Sequence, residues 1–354
     1  RWSLAAPSMV VRSYISISSF VVFLLFSVFF VALVYVAGTY DSQVYYSHFK
    51  SIADEGFFEF ASQQIQVAGK LEPGLYVIYS LLPFLDFESF LLFNGWLIFF
   101  SSLFYYRLTW KHGYSRVDSF WFYFVIFFVL WYPLYINYMW VWRSYISVSL
   151  FSCGVLSFLK FRYLSSFVFF FLSLLFHVSF IFYFLIFMIV YYSVFFFESS
   201  RFSRGSIFFV GFLFSLAFSV LVFFALGSFG FMVSGGDIWQ ANYNYTGFIV
   251  SVYFMMIIVP FLFLSKSRTY NNENFYLFCI LIFLINFALS VVFFNNHLVL
   301  NRFTILSYFL FVPFFLLFYP ELGVYFRVYV FLLILIGVLF FFFSVGRYFL
   351  EFTV

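Results

Sequence analysis

Charge is the scarcest commodity in this sequence. Only 8% of the 354 residues are Asp, Glu, Lys or Arg, whereas a water-soluble domain carries about a quarter. That shortfall excludes a hydrated surface over most of the chain. The net charge of +4 is also too modest to mark a nucleic-acid partner. Cysteine is almost absent: Cys153 and Cys279 both sit inside apolar runs, where no oxidant meets them, so a disulfide framework is excluded. The sequence holds no P-loop, no glycine-rich dinucleotide turn and no metal-type Cys/His spacing. We therefore expect no cofactor and no metal. Any substrate must arrive already activated, or the protein is not an enzyme.

What is present is apolar. Hydrophobic residues make up 66% of the chain, and 70 residues are Phe; the mean hydropathy is +1.08. Lipid is the expected solvent, with the phenylalanines filling lipid-facing positions rather than a cofactor box. The apolar runs are continuous, whereas a barrel strand would alternate. Runs fall at 15–38, 74–86, 89–106, 118–136, 144–159, 163–177, 178–197, 206–227, 247–265, 274–294, 303–319 and 328–345. Residues 1–8 precede Met9 and are set aside as foreign to the fold, with Met9 the expected natural start. The first run has no small-residue cleavage site after it and is expected to be a retained helix.

Two runs break the pattern. Segment 74–86 lies between Glu72-Pro73-Gly74 and Asp86-Phe87-Glu88. As a helix it reaches about 20 Å, short of a hydrocarbon core of about 30 Å, which predicts a half-helix or re-entrant element. Residues 163–197 are apolar almost without pause, apart from His177 and Ser179. As one helix they would reach about 50 Å, too long for a single crossing, so two shortened helices meeting near His177 are expected.

Charge placement selects the topology. With the N-terminus inside, 74–86 returning to its own side and the long run split, the inner segments hold twelve of the 17 basic residues. Lys50, Lys70, Arg143, Arg302 and Arg347 remain outside. This positive-inside bias predicts about eleven crossings with the C-terminus outside. The expected fold is all-α and polytopic, one integral membrane domain over 1–354, with long outer-face loops at 39–72 and 228–246. Loops of that length are uncommon unless they are functional or disordered.

The outer face carries the candidate chemistry. Arg143 and Arg302 each sit at the mouth of an apolar run, on the side where basic residues are disfavoured. Each is either a snorkelling anchor or a rigid fork for phosphate oxygens. His177, at the helix junction, is either a general base or an imidazole satisfying a freed carbonyl. His297 lies five residues before Arg302, in the same cleft or at the interface. Asp41 and Glu72, with Tyr45 nearby, offer carboxylates and an aromatic ring to sugar hydroxyls and sugar faces. The stretch 237–245, with Asp237 and Trp239, has the same stacking-plus-amide composition. Inner-face charges such as Lys160 and Arg162 read as topology determinants.

The ordered series is Asp41 with Tyr45, Glu72-Pro73-Gly74, Arg143, His177-Val178-Ser179 and Arg302. In that layout the chain resembles the EpsG-like branch of the Wzy-type polysaccharide and O-antigen polymerases. Arg143 is followed by Ser144-Tyr145, where such proteins often carry Gln and small residues. The resemblance implies a GT-C-like glycosyltransferase of the bacterial inner membrane with its active site facing the periplasm. It would polymerise undecaprenyl-pyrophosphate-linked repeat units, as in lipopolysaccharide synthesis, beside a chain-length regulator. Arg143 and Arg302 would grip the pyrophosphate. His177, Asp41 or Glu72 would act on the acceptor hydroxyl, and Tyr45, Asp237, Trp239 and His297 would hold the glycan. The alternatives are a flippase for the same lipid-linked glycans and a membrane glycan ligase or O-acyltransferase.

Overall fold

The computed structural model describes residues 40–68, 73–111, 142–177, 180–199, 204–229, 246–264, 273–293 and 297–337. Every regular element among the described residues is helical, as expected. The expected runs 15–38 and 118–136, and residues 230–245 of the second expected loop, lie outside the described residues.

The first expected loop, 39–72, is helical over most of its length. Helix α1 (Tyr40–Glu55) and helix α2 (Phe57–Ala68) meet at Gly56. Gly56 has φ +89°, a left-handed conformation that glycine adopts without a Cβ penalty and that ends helices. Tyr45, Phe49 and Ile52 are all buried; their i, i+4, i+7 spacing is one helical face. Lys50 within it and Asp54 and Glu55 just after it disguise that stripe as a polar loop in the sequence.

Helix α3 (Pro73–Ser80) is the short element expected at 74–86, but it stops at Ser80. Pro83 explains the early end, since proline has no N–H to continue a helix and restricts the residue before it. The chain turns, and Asp86 opens helix α4 (Phe87–Lys111) by accepting the Ser89 backbone N–H at 2.8 Å. That bond holds the Asp86 carboxyl below its ordinary pKa.

Helix α5 (Trp142–Phe158) and helix α6 (Tyr163–Phe176) form an antiparallel hairpin. Serines lock it. Ser147 Oγ donates to the Ser173 carbonyl at 2.9 Å, Ser173 Oγ returns a bond to the Ser147 carbonyl at 2.7 Å, and Ser166 Oγ donates to the Gly154 carbonyl at 2.9 Å. Small residues let the two backbones approach closely enough for those bonds. His177 then adopts an extended conformation, φ −160° and ψ 134°, and helix α7 (Phe180–Ser199) follows. The break expected near His177 is present without glycine or proline.

Helices α8 (Arg204–Phe229), α9 (Thr246–Leu262), α10 (Glu273–Val292) and α11 (His297–Phe318) complete the bundle, followed by the apolar helix Val324–Gly337, α12. α10 runs antiparallel to α9, where Ser290 bonds Ser251 and the Tyr276 hydroxyl donates to the Phe261 carbonyl. It also runs antiparallel to α11, with ring contacts Phe283–Phe314 and Tyr276–Phe318. Phe309 of α11 ties this half to the other: its carbonyl accepts the Tyr105 hydroxyl at 2.6 Å and its ring meets Tyr145.

One helix among the described residues, Asn274–Val292, is long and apolar enough to cross a membrane, with mean hydropathy 2.6 over 19 residues. The other apolar helices are shorter. The polarity of α6 is inverted relative to a helix packed in water. Its Ser166 and Ser173 face inward, while Leu164 is 78% and Phe167 68% exposed.

Candidate functional site

A polar cluster forms where α1, α3 and α5 meet, and Arg143 is its centre. Arg143 lies in the first described turn of α5 and is half-buried. Its Nε donates to the Tyr45 hydroxyl at 3.2 Å and its Nη1 to the Tyr76 hydroxyl at 2.9 Å. The guanidinium carbon also lies 5.2 Å from the Tyr45 ring centre and 5.9 Å from that of Tyr76. A guanidinium over the negative face of an aromatic ring gains electrostatic energy, more where water is excluded. Trp142 stacks on Tyr45 at 5.1 Å, and its indole nitrogen is buried with no hydrogen-bond acceptor among the described residues. Two phenols and an indole thus fix a cation that would otherwise sweep a wide volume.

A third ring system extends the cluster. The Tyr76 hydroxyl lies 3.2 Å from His48 Nδ1, and Phe60 of α2 packs against the same imidazole. Arginine has only donors, so the Tyr76 oxygen accepts from Arg143, while the same oxygen lies within hydrogen-bond distance of the imidazole. Burial, and secondly the adjacent Arg143 guanidinium, pull His48 below the ordinary histidine pKa of 6.5. A second cation beside Arg143 is disfavoured by both effects. The neutral imidazole is thereby favoured.

His177 reaches the same level of the bundle through helix register. Ser147 pairs with Ser173 and Gly154 with Ser166, so each residue of α5 moved back one turn meets one of α6 moved forward one turn. Carrying that register from Ser147 to Arg143 brings the partner position from Ser173 to His177. The N-terminal end of α3 closes the same corner. A Cβ on Gly74 would lie 3.1 Å from the Leu175 carbonyl oxygen and 3.0 Å from the Phe176 ring. His177 is buried, 5% exposed.

Of the residues expected from sequence, Tyr45, Arg143 and His177 are therefore brought to one end of the α5–α6 hairpin. Asp41 lies one turn before Tyr45 in α1, and its side chain is outside the described residues. The same holds for His297 and Arg302, in the first two turns of α11, with Arg302 two turns before Phe309. Glu72, Asp237 and Trp239 fall outside the described residues. His48 and Tyr76 belong to the cluster but were not singled out in the sequence. The available signals were the i, i+3 spacing of Tyr45 and His48, and a tyrosine one turn after Pro73-Gly74.

The class defined by these observations is an all-helical protein with an arginine–tyrosine–histidine cluster at one end of its bundle. Comparison with protein-family models, curated proteins and solved structures finds no match.

Proposed function

We propose that this chain is a multi-pass membrane glycosyltransferase. It extends a glycan from repeat units linked to a polyprenyl pyrophosphate, on the outer face of the bacterial inner membrane. The observation that carries this reading is the arginine immobilised by two tyrosine hydroxyls at the level of a buried histidine. A preorganised guanidinium suits an oxyanion leaving group, because its charge and fork geometry are in place before the bond breaks. The inverted polarity of α6 and the apolar outer faces of α8 and α12 favour lipid as the surrounding solvent, since such patches are rare on soluble monomers. In the multi-pass reading the shorter helices also cross, with about eleven spans in all.

In this mechanism the acceptor hydroxyl oxygen attacks the anomeric carbon of the donor. The bond from that carbon to the pyrophosphate oxygen breaks, and its electron pair leaves on the pyrophosphate. Arg143 stabilises that developing charge, with Arg302 as its second grip. His177 or Asp41 orients the acceptor, and the ring of Tyr45 borders the sugar. The test uses purified protein in detergent with a polyprenyl-pyrophosphate-linked repeat. Wild-type protein should make polymer there, while Arg143→Ala and Arg302→Ala should insert normally and make none. Polymer of wild-type length from the Arg143 variant would refute the reading. Transbilayer movement in vesicles, with no polymer in detergent, would identify a flippase instead.

A further inference from the structure

We infer that the groove between α7, α8 and α10 binds one acyl chain of an anionic phospholipid of the inner leaflet, with the headgroup at the basic ends of the neighbouring helices. The inference rests on the membrane part of the reading above and not on glycosyl transfer. The groove is a cavity of about 400 Å³. Val190 of α7, Gly211 of α8 and Leu281 and Ile285 of α10 form its buried floor, while Phe196 and Phe214 stand exposed at its mouth. A Cβ on Gly211 would lie 2.6 Å from the Leu281 side chain, so α8 and α10 close on each other at the floor, as small residues allow.

The lining selects a hydrocarbon. Its two serines are satisfied within their own helices: Ser193 Oγ donates to the Ile189 carbonyl at 2.8 Å, and Ser215 Oγ to the Gly211 carbonyl at 2.6 Å. The other side-chain polar group of the lining is the Tyr192 hydroxyl, on an exposed ring. The interior therefore offers no uncommitted hydroxyl proton to a polar ligand. Size argues against a protein partner. A stable protein interface covers about 800 Å² on each side, a broad face rather than a slot. The cavity instead falls among small-molecule pockets of about 300–1,000 Å³.

Charge and level select the lipid. Helix α7 runs parallel to α5, since Phe180 and Tyr183 pack on Phe151, and Tyr191 packs on Phe158 at 5.2 Å. The groove, lined by Val190 to Phe196 of α7, is thus level with the turn that carries Lys160 and Arg162. At the same end the chain passes from α7 to Gly211 of α8 through Arg201 and Arg204, with Glu198 the acidic residue of that stretch. Basic residues at a membrane surface attract anionic headgroups by about 1 kcal/mol each. In the proposed topology this end is cytoplasmic, which makes the source the inner leaflet.

The test uses full-length protein in phosphatidylcholine nanodiscs holding a minority of phosphatidylglycerol whose acyl chain carries a diazirine. After illumination, adducts should map to Val190–Phe196 and Val210–Ser215 at several times their density on Leu164 and Phe167 of α6. Those two are a lipid-facing control beside the same basic turn. The same diazirine chain on phosphatidylcholine should label the groove about fivefold less, the difference one basic residue makes at an anionic headgroup. Ser193→Leu and Val210→Trp fill the groove from α7 and from α8, and the Ser193 bond they remove lies within one helix. Each should lower groove labelling to the α6 level and leave α6 labelling unchanged. Groove labelling no higher than that of α6, equal labelling by the two headgroups, or unchanged labelling in both filled variants overturns the inference. Displacement of the adducts by an equimolar amount of polyprenyl phosphate would assign the groove to a carrier tail and overturn it as well. Extraction of the protein from native membranes by alkaline carbonate would refute the membrane reading itself. A protein retained there but inert toward the polyprenyl-pyrophosphate-linked repeat would sink glycosyl transfer alone, and the labelling would still decide the lipid site.

Discussion

At the scale of the residue, His48 links the electrostatics of the cluster to its stability. Its folded pKa is lowered from 6.5, so between the folded and unfolded values the unfolded chain binds more protons. Stability therefore rises with pH through that window. The contribution is fully present above the unfolded pKa and is lost as pH falls through the folded one. Melting temperature in detergent should accordingly decline on acidification below the ordinary histidine range, and His48→Gln should flatten that part of the curve. An identical acid-side slope in the variant would show that His48 is not the group responsible. The same residue marks what was hard to read in the sequence. His48 stands among Lys50, Asp54 and Glu55, and in one dimension it is one more loop polar. Only the pairing of α1 with α3 brings it to Tyr76, a contact between residues 28 positions apart.

At the scale of the element, the α5–α6 hairpin is the frame on which the cluster hangs, and Gly154 is its tightest point. A Cβ there would lie 2.5 Å from the Phe170 ring. That ring cannot swing away freely, because Phe151, Phe180, Phe184 and Phe187 all pack against it. Gly154→Ala should therefore cost about 1–3 kcal/mol through overpacking, read as a lowered unfolding midpoint in detergent. Gly323→Ala, where a Cβ meets nothing within 4 Å, is the control expected to stay near wild type. Equal midpoints for the two variants would contradict the close approach. The break between α6 and α7 was legible in the sequence as two shortened helices meeting near His177, and Arg143 as the residue at the mouth of the run that became α5. The serine register that brings Arg143 level with His177 was not, because serine in an apolar run carries no label saying which backbone it will bond. Helix α3 was legible as a short element, although its end at Ser80 depends on Pro83. The helicity of 40–68 was hidden because its buried face is narrow and its other faces are polar.

At the scale of the whole molecule, the placement of polar and apolar surface makes a claim about sides. From Arg143 to the end of α5 at Phe158 the helix rises about 23 Å at 1.5 Å per residue. With the polar turn beyond it that approaches a hydrocarbon layer of about 30 Å, so the two ends of the hairpin should meet opposite aqueous phases. The clustered end, with Lys50 and Glu88 exposed nearby, would be outside. The turn holding Lys160 and Arg162 would be inside, where basic residues are favoured. Burial lowers the Lys160 pKa to about 8, while Arg162 is exposed. The natural thiols, Cys153 and Cys279, are both fully buried, which leaves a quiet background for single introduced cysteines. Lys50→Cys and Glu88→Cys should react with a membrane-impermeant maleimide added to intact cells with a permeabilised outer envelope. Arg162→Cys should react only after the inner membrane is opened. Labelling of all three from the same side would overturn the sidedness and, with it, the placement of the Arg143 cluster on the outer face. Labelling of Arg162→Cys alone from outside would invert the topology instead and put the cluster in the cytoplasm, where the proposed substrate reaches it before export rather than after.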